Sequence, residues 1–276
     1  MNEVKESVID ADRRSLFDWL ELWRYRELFY FFTWRDIKIK YKQTVLGFLW
    51  AILQPLLLMT IFTLFFGRAL NIPSQSLPYP VFVFSGLLLW NCFSSGLTNA
   101  SNSMVNNALI IKKIYFPRLV IPVSSILAAL FDLTMSLLIF IALLVIYRVD
   151  VSPAAIWCWP AAIVLLIIAT LGPGCLLAAL NVKYRDFRYV IPFLVQVIFF
   201  LTPVIYPVTF LKYQSLQYVL AANPVYAAIE LFRLPITTDH ELQMTWLTIS
   251  IVSGFVFLAI GLVYFKSTEE YFADFA

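Results

Sequence analysis

Between Gln43 and Ile111 the chain carries one charged residue, Arg68. It separates uncharged stretches of 25 residues (43–67) and 43 residues (69–111). A helix rising ~1.5 Å per residue crosses ~30 Å of hydrocarbon in about 20 residues. The first stretch is one crossing. The second is too long for one helix, and its start, NIPSQSLPYP, holds three prolines among polar residues. That places an external loop there and a second crossing at about 81–105, with the polar residues of 99–107 marking its exit. The composition agrees, at 61% hydrophobic and 13% charged, against about 25% charged in soluble domains.

Four further crossings are expected at 119–147, 156–180, 189–206 and 242–265. Gly172-Pro173-Gly174 should kink or thin the fourth. Pro192, Pro203 and Pro207 should kink or break the fifth near its far end. Residues 207–241 are too short to cross twice and too apolar for a solvated loop. They read as two short helices re-entering the outer leaflet, broken at Asn223-Pro224; a surface-lying amphipathic helix is the alternative. The expected fold is all-α and polytopic: six transmembrane helices, an N-terminal amphipathic interfacial helix, and re-entrant helices before the last span. It forms a single transmembrane domain, 1–276, with a cytoplasmic N-terminus and interfacial helix (1–45), a six-helix region (46–266) and a cytoplasmic tail (267–276).

Cations orient it. With the N-terminus inside, 16 of the 20 Lys and Arg residues fall in cytoplasmic parts; Arg68, Arg148, Lys212 and Arg233 fall outside. Cytoplasmic loops are the ones enriched in Lys and Arg, so both termini are expected in the cytoplasm, with the chain a multi-pass protein of the bacterial cytoplasmic (inner) membrane.

Several function classes are disfavoured. A net charge of +3 is too small to suggest nucleic acid. Cys92, Cys158 and Cys175 lie in apolar segments without metal-ligand spacing and read as small buried hydrophobes. The polar start, MNEVKESVIDADRR, is not a cleavable signal peptide. There is no Gly-rich phosphate loop, no HExxH, no GxSxG and no Cys-x-x-Cys, and the one histidine is His240. Neither catalytic residues, nor a metal site, nor a cofactor is expected in this chain. Asp132 is the only acid within a span; alone at that depth it suggests helix packing or a gate.

The run LFDWLELWRYRELFYFFTWRDIKIKYKQTVLGFLWAILQP resembles the start of the membrane subunits of ATP-binding-cassette polysaccharide exporters, the O-antigen, teichoic-acid and capsule export permeases. NNALIIKKIYFPRLVIP resembles the first cytoplasmic loop of that family, and NVKYRDFRYVIPFLVQVIFFLTPVIYP its second cytoplasmic loop and fifth helix. NPVYAAIELFR is similar to its external re-entrant region. EEYFADFA is similar to its closing motif, with Glu270 where a basic residue is usual. The resemblance implies a homodimeric channel with two copies of a separate ATPase docked beneath, that partner binding ATP and Mg. It implies a lipid-linked polysaccharide as substrate.

A permease without a phosphate loop needs a docking surface. The segment 106–118 is the candidate coupling site: Asn106, Asn107, Ile110, Lys112, Lys113, Tyr115, Phe116, Pro117 and Arg118. Its cations can meet acids on a partner, and Ile110, Ile114, Tyr115 and Phe116 can fill a groove; anchoring of phospholipid headgroups alone explains the charge, but explains the Asn-Asn start and the Tyr-Phe-Pro less well than docking does. The loop 183–188 is a weaker docking candidate. On the N-terminal segment, expected along the inner headgroups, Trp34, Arg35, Lys38, Lys40 and Lys42 can hold membrane lipid or attract a substrate pyrophosphate.

A sugar path needs aromatic faces for pyranose rings and scattered amides for their hydroxyls. Trp50, Gln54 and Phe65 on the first span, and Gln196, Phe199 and Phe200 on the fifth, are the candidate channel lining; interhelical or lipid-facing packing explains each one as well. Asn223, Pro224 and Tyr226 are candidates for an outer gate. Rival functions are export of a small hydrophobic drug or lipid by the same fold, and a membrane-embedded acyl- or glycosyltransferase. The latter would need an interfacial acid or histidine with partners, and only scattered Asp186, Glu230 and Asp239 stand there.

Overall fold

The computed structural model describes residues 19–42, 47–74, 76–184, 186–210, 213–237, 242–269 and 272. Among these residues there is no strand. Helices α1 (Trp19–Arg24) and α2 (Arg26–Lys42) precede α3 (Gly47–Phe62), which runs on as a π-helical stretch, Thr63–Ala69. Then come α4 (Tyr79–Asn106), α5 (Ala108–Lys113), α6 (Val120–Ile146), α7 (Ala155–Lys183) and α8 (Phe187–Phe200). The helices α9 (Gln214–Ala221), α10 (Pro224–Arg233) and α11 (Met244–Thr268) complete the chain. Ile52–Ala69, α4, α6, α7 and α11 are each long and apolar enough to cross a membrane. The all-helical, polytopic expectation holds.

The centre of the bundle is α4, the least apolar of these five yet the most buried. Polarity is the reason. Most of its hydroxyls and amides, without a partner in hydrocarbon, face protein and bond backbone, while Asn99 and Asn106 are exposed. Ser103 Oγ donates to the Ala100 carbonyl at 2.6 Å and Asn102 Nδ2 to that of Thr98 at 2.8 Å. Asn181 of α7 adds bonds to the Ser101 carbonyl (3.0 Å) and to Asn102 Oδ1 (3.1 Å). The residues expected to mark the exit of this span are thus helical up to Asn106.

Helix α7 passes unbroken through Pro160 and Pro173. The Gly172-Pro173-Gly174 step thins it instead of breaking it. A Cβ on Gly261 of α11 would stand 2.0 Å from the Gly172 carbonyl oxygen, and one on Gly172 would stand 2.5 Å from the Phe257 backbone. The two helices touch there backbone to backbone.

The fifth crossing differs from a plain helix. With 14 residues, α8 is ~21 Å long, short of ~30 Å. It ends at Phe200, and Thr202–Ile205 continue as buried irregular chain. Such backbone persists at membrane depth only where protein satisfies it. Arg233 donates to the carbonyls of Pro203 and Val204, each at 2.9 Å. The α9–α10 pair bends by 94° at the Asn223-Pro224 break, as the sequence leads one to expect. Asn223 caps α10, accepting from the Val225 N–H at 3.0 Å, and Pro224 takes the first turn, where no N–H is needed.

Helix α2 is not isolated at a surface. It runs parallel to α6 and is bonded to it in rising order. Thr33 Oγ1 donates to the Ser124 carbonyl (3.4 Å), Ser125 Oγ to Asp36 Oδ2 (3.4 Å), and Lys40 and Tyr41 both donate to the Asp132 carboxylate. Asp132 lies 12 residues into α6, ~18 Å along its axis. Polar side chains on α6 therefore draw the C-terminal half of α2 up against the bundle. At the lower end a second small core joins α2, the 114–119 loop, α11 and the tail through Phe32, Ile111, Phe116, Phe265 and Phe272.

Candidate functional site

The docking segment splits into an outward and an inward face. Lys112, Lys113 and Tyr115 project outward, Tyr115 at 67% exposure, as does Asn106. Ile110, Pro117 and Arg118 are half-buried, and Asn107 is buried, with Nδ2 donating to the Ser103 carbonyl at 2.7 Å. The basic residues and Ile111–Phe116 enclose a shallow hollow of about 240 Å³. Phe116 corrects the expectation that its ring fills a partner's groove. It is 5% exposed and lies 5.7 Å from the Phe32 ring, so it fastens the loop to α2. Exposed apolar surface comes from Leu109, Ile114 and Tyr115 instead. Arg118 is tied to the tail: its backbone N–H donates to Glu269 Oε1 at 3.3 Å and its guanidinium sits 5.9 Å from the Phe272 ring. Loop 183–188 ends α7, with Lys183, Tyr184, Asp186 and Arg188 exposed; Arg185 lies outside the described residues.

The candidate lining residues fall on two neighbouring helices. Gln54 and Phe65 on α3 and its π-helical extension are exposed, Phe65 at 63%; Gln196 and Phe200 on α8 are exposed, Phe200 at 59%. Phe62 stacks on Phe199 at 5.9 Å, and Trp90 lies 5.3 Å from the same ring. Phe199 therefore joins α3, α4 and α8, and its neighbours present the free aromatic surface. The side chain of Trp50 lies outside the described residues.

Of the expected entry residues, Trp34, Lys38, Lys40 and Lys42 are exposed. Arg35 pairs with Asp36 at 2.8 Å and lies 4.7 Å above the Phe32 ring. Lys40 pairs with Asp132, whose carboxylate also accepts from Tyr41. Burial, then the Asp132 carboxylate, pushes the Tyr41 hydroxyl above the ordinary tyrosine range, so it remains a donor. Arg35, Asp36, Lys40, Tyr41 and Asp132 border a cavity of about 760 Å³ between α2, α4 and α6. Its α4 wall is a stripe of Ser95, Asn99, Ser103 and Asn106, spaced three to four residues apart on one helical face.

At the opposite end the candidate gate residues are firmly held. Asn223 Nδ2 donates to Thr202 Oγ1 at 2.7 Å, and Ser250 Oγ of α11 donates to the Asn223 carbonyl at 2.7 Å. Pro224 is half-buried, and Tyr226 is 4% exposed, packed with Val208, Leu220, Ala221 and Trp246. Next to them Arg233, read from the sequence as an external loop cation, is fully buried. Besides the Pro203 and Val204 carbonyls it donates to the Phe82 carbonyl (3.0 Å) and Ser85 Oγ (3.1 Å), and its guanidinium lies 3.8 Å above the Phe82 ring.

Three features escaped the sequence reading. The pairing of Lys40 with Asp132 joins residues 92 positions apart, and no local pattern announces it. The Ser95–Asn99–Ser103–Asn106 stripe was legible as a polar face at helical spacing. Arg233 also carried a signal: an arginine closing an apolar helix one turn after Glu230 is a poor candidate for a solvated loop.

Comparison with known proteins agrees with this architecture. The family model described as ABC-2 type transporter matches residues 27–236. A Myxococcus xanthus protein, O-antigen export system permease protein RfbA, is 30% identical over 264 residues, covering 92% of this chain and 97% of the relative. A Klebsiella pneumoniae protein of the same name is 29% identical over 242 residues, covering 87% and 91%. The polysialic acid transport protein KpsM of Escherichia coli is 25% identical over 244 residues, covering 86% and 91%. With its apolar helices, its sharply bent α9–α10 pair and a match across three quarters of its length, this multi-pass membrane protein belongs to the ABC-2 type transporter family.

Proposed function

We propose that this chain is the permease subunit of an ATP-driven exporter that moves a lipid-linked polysaccharide, of O-antigen, teichoic-acid or capsule type, across the cytoplasmic membrane. It supplies the path and no catalytic step. A separate ATP-binding-cassette subunit binds ATP and Mg and hydrolyses the nucleotide. Two copies of this chain form the channel, with both termini in the cytoplasm. The observation that carries this reading is the similarity along nearly the whole chain to relatives named for O-antigen export and polysialic acid transport.

The geometry supports a division of labour. The exposed cations Lys112 and Lys113, with Tyr115 beside them, dock the ATPase. Movement there passes through Phe116 and Phe32 to α2. The exposed aromatic and amide faces of α3 and α8 meet their counterparts on the second copy and line the path. Aromatic rings stack on the apolar faces of sugars, while Gln54 and Gln196 exchange hydrogen bonds with successive hydroxyls. The α9–α10 pair and Arg233 hold the outer end. The test is depletion of this chain in its own cells. Surface polysaccharide should fall and lipid-linked polysaccharide should accumulate inside; undiminished surface polysaccharide overturns the reading.

A further inference from the structure

The motif that closes the chain, EEYFADFA, lies apart from the proposed path, yet it is built into the docking end. Phe272 is buried with its ring 5.1 Å from that of Phe265 on α11, in the small core that also holds Ile111 and Phe116. Glu269 pairs with Lys266 at 2.7 Å through one oxygen and accepts from the Arg118 backbone N–H at 3.3 Å through the other. The lower end of α11 and the docking segment are therefore packed as one piece. Among the described residues nothing accepts a hydrogen bond from the buried Nη1 of Arg118. A buried donor without an acceptor is costly, so a shift of this joint that brings Arg118 an acceptor lowers its energy.

The upper end of the same helix is built into the break between α9 and α10. Ser250 is buried, and its Oγ accepts from the Ala227 N–H at 3.0 Å while donating to the Asn223 carbonyl at 2.7 Å. Those two groups are the pair that the first i→i−4 bond of α10 would join. The hydroxyl is inserted into the helix ladder, which is one cause of a bend. Withdrawing Ser250 leaves the N–H and the carbonyl free to bond each other and close the turn. Ser253 Oγ holds the Ala222 carbonyl at 2.6 Å, and Trp246 packs on Leu220 and Ala221 of α9.

Between these ends α11 contains no proline and meets α7 backbone to backbone, Gly261 on Gly172. Gly261 stands ~16 Å of helix from Ser250 and ~12 Å from Glu269. A contact without interlocking side chains fixes position but permits tilt, and a tilt moves the two ends in opposite directions. We propose that α11 is a lever between the docking segment and the α9–α10 break, pivoting at Gly261, with Glu269 and Ser250 the positioning residues of its lower and upper arms. The lever rests on the export reading for what moves the docking segment. When the ATPase shifts that segment, Glu269 and Phe272 carry α11 with it. Ser250 leaves the Asn223–Ala227 step, the first turn of α10 closes, and α9 loosens from α11. The two arrangements differ in named hydrogen bonds, as a coupled two-state element requires.

The test is hydrogen–deuterium exchange on the full chain with its ATPase in nanodiscs, with and without ATP. ATP should speed exchange across α9 about tenfold as its hold on α11 loosens. Glu269→Ala, ~28 Å of helix from Ser250, should remove most of that change, with exchange in the absence of ATP unaltered and the ATPase still bound and hydrolysing. Glu269→Gln, which can still accept from Arg118, should restore the response. Ser250→Ala should also remove it, and Glu269→Ala with Ser250→Ala should lose no more than either alone, since two breaks in one lever act as one. A full ATP response in Glu269→Ala, additive losses in the double variant, or faster α9 exchange in Glu269→Ala already without ATP overturns the proposal. So does a hydrolysing complex of the natural chain in which ATP leaves α9 exchange unaltered, and that result leaves the export reading standing. Failure of the export reading looks different: the chain binds no ATPase and surface polysaccharide survives its depletion, which removes the lever as well.

Discussion

A Cβ on Gly86 would lie 2.6 Å from Nη2 of Arg233, and 3.0 Å from the Val204 backbone. The guanidinium occupies the space a side chain at position 86 would need, and it uses that position to bond α4 and the irregular chain after α8. Arg233→Met strips four acceptors of a charged donor and should destabilise the protein by about 3 kcal/mol or more. Gly86→Ala should be damaging alone and less so beside Arg233→Met. Thermal unfolding of the two single variants and the double variant checks this; strictly additive losses would refute the shared-space relationship.

The docking segment separates charge from packing. Lys112→Glu with Lys113→Glu should abolish co-purification of the ATPase while shifting stability by no more than about 0.5 kcal/mol, as surface changes usually do. Phe116→Ala should cost about 3 kcal/mol, as core truncations do, because its ring packs on Phe32. An intact, normally hydrolysing complex from the double-Glu variant would show that docking lies elsewhere.

Phe200, whose ring lies 5.5 Å from that of the half-buried Phe199, and Phe65 are exposed aromatics on α8 and on the π-helical extension of α3. Phe65→Ala and Phe200→Ala should slow export several-fold at unchanged protein level. Phe199→Ala should lower the amount of folded protein, since it removes the ring that Phe62 and Trp90 pack against. Quantifying surface polysaccharide and membrane-inserted protein together distinguishes the two effects. Full export in Phe65→Ala and Phe200→Ala would remove both residues from the path.

Small residues on α11 differ sharply in tolerance. A Cβ on Gly261 meets the Gly172 carbonyl at 2.0 Å, whereas one on Gly254 first meets Pro224 at 3.5 Å. Gly261→Ala should sharply reduce folded protein, and Gly254→Ala should be accepted. Detergent-resistant folding measured by size-exclusion fluorescence settles the comparison, and equal yields would contradict the backbone contact.

Much of this architecture was legible because membrane crossing is a demand on composition: uncharged runs of the right length, with prolines at the ends. The break at Asn223-Pro224 was legible for a local reason, since proline cannot continue the preceding helix and asparagine caps the next. What stayed hidden depends on distant pairs. Asp132 looked like a solitary acid because Lys40 and Tyr41 are 92 and 91 positions away. Arg233 looked like a loop cation because its acceptors are carbonyls, which have no signature in sequence. Phe116 looked like a groove-filler because a ring in a basic loop does not reveal which way it turns.

The most direct measurement uses inside-out membrane vesicles carrying this chain with its ATPase and loaded on their outer face with lipid-linked polysaccharide. If the chain is the export path, ATP should move the glycan into the lumen and protect it from added glycanase, and the Lys112→Glu, Lys113→Glu variant should leave it exposed. Glycan that stays equally accessible with and without ATP in vesicles of the natural chain would contradict the export function.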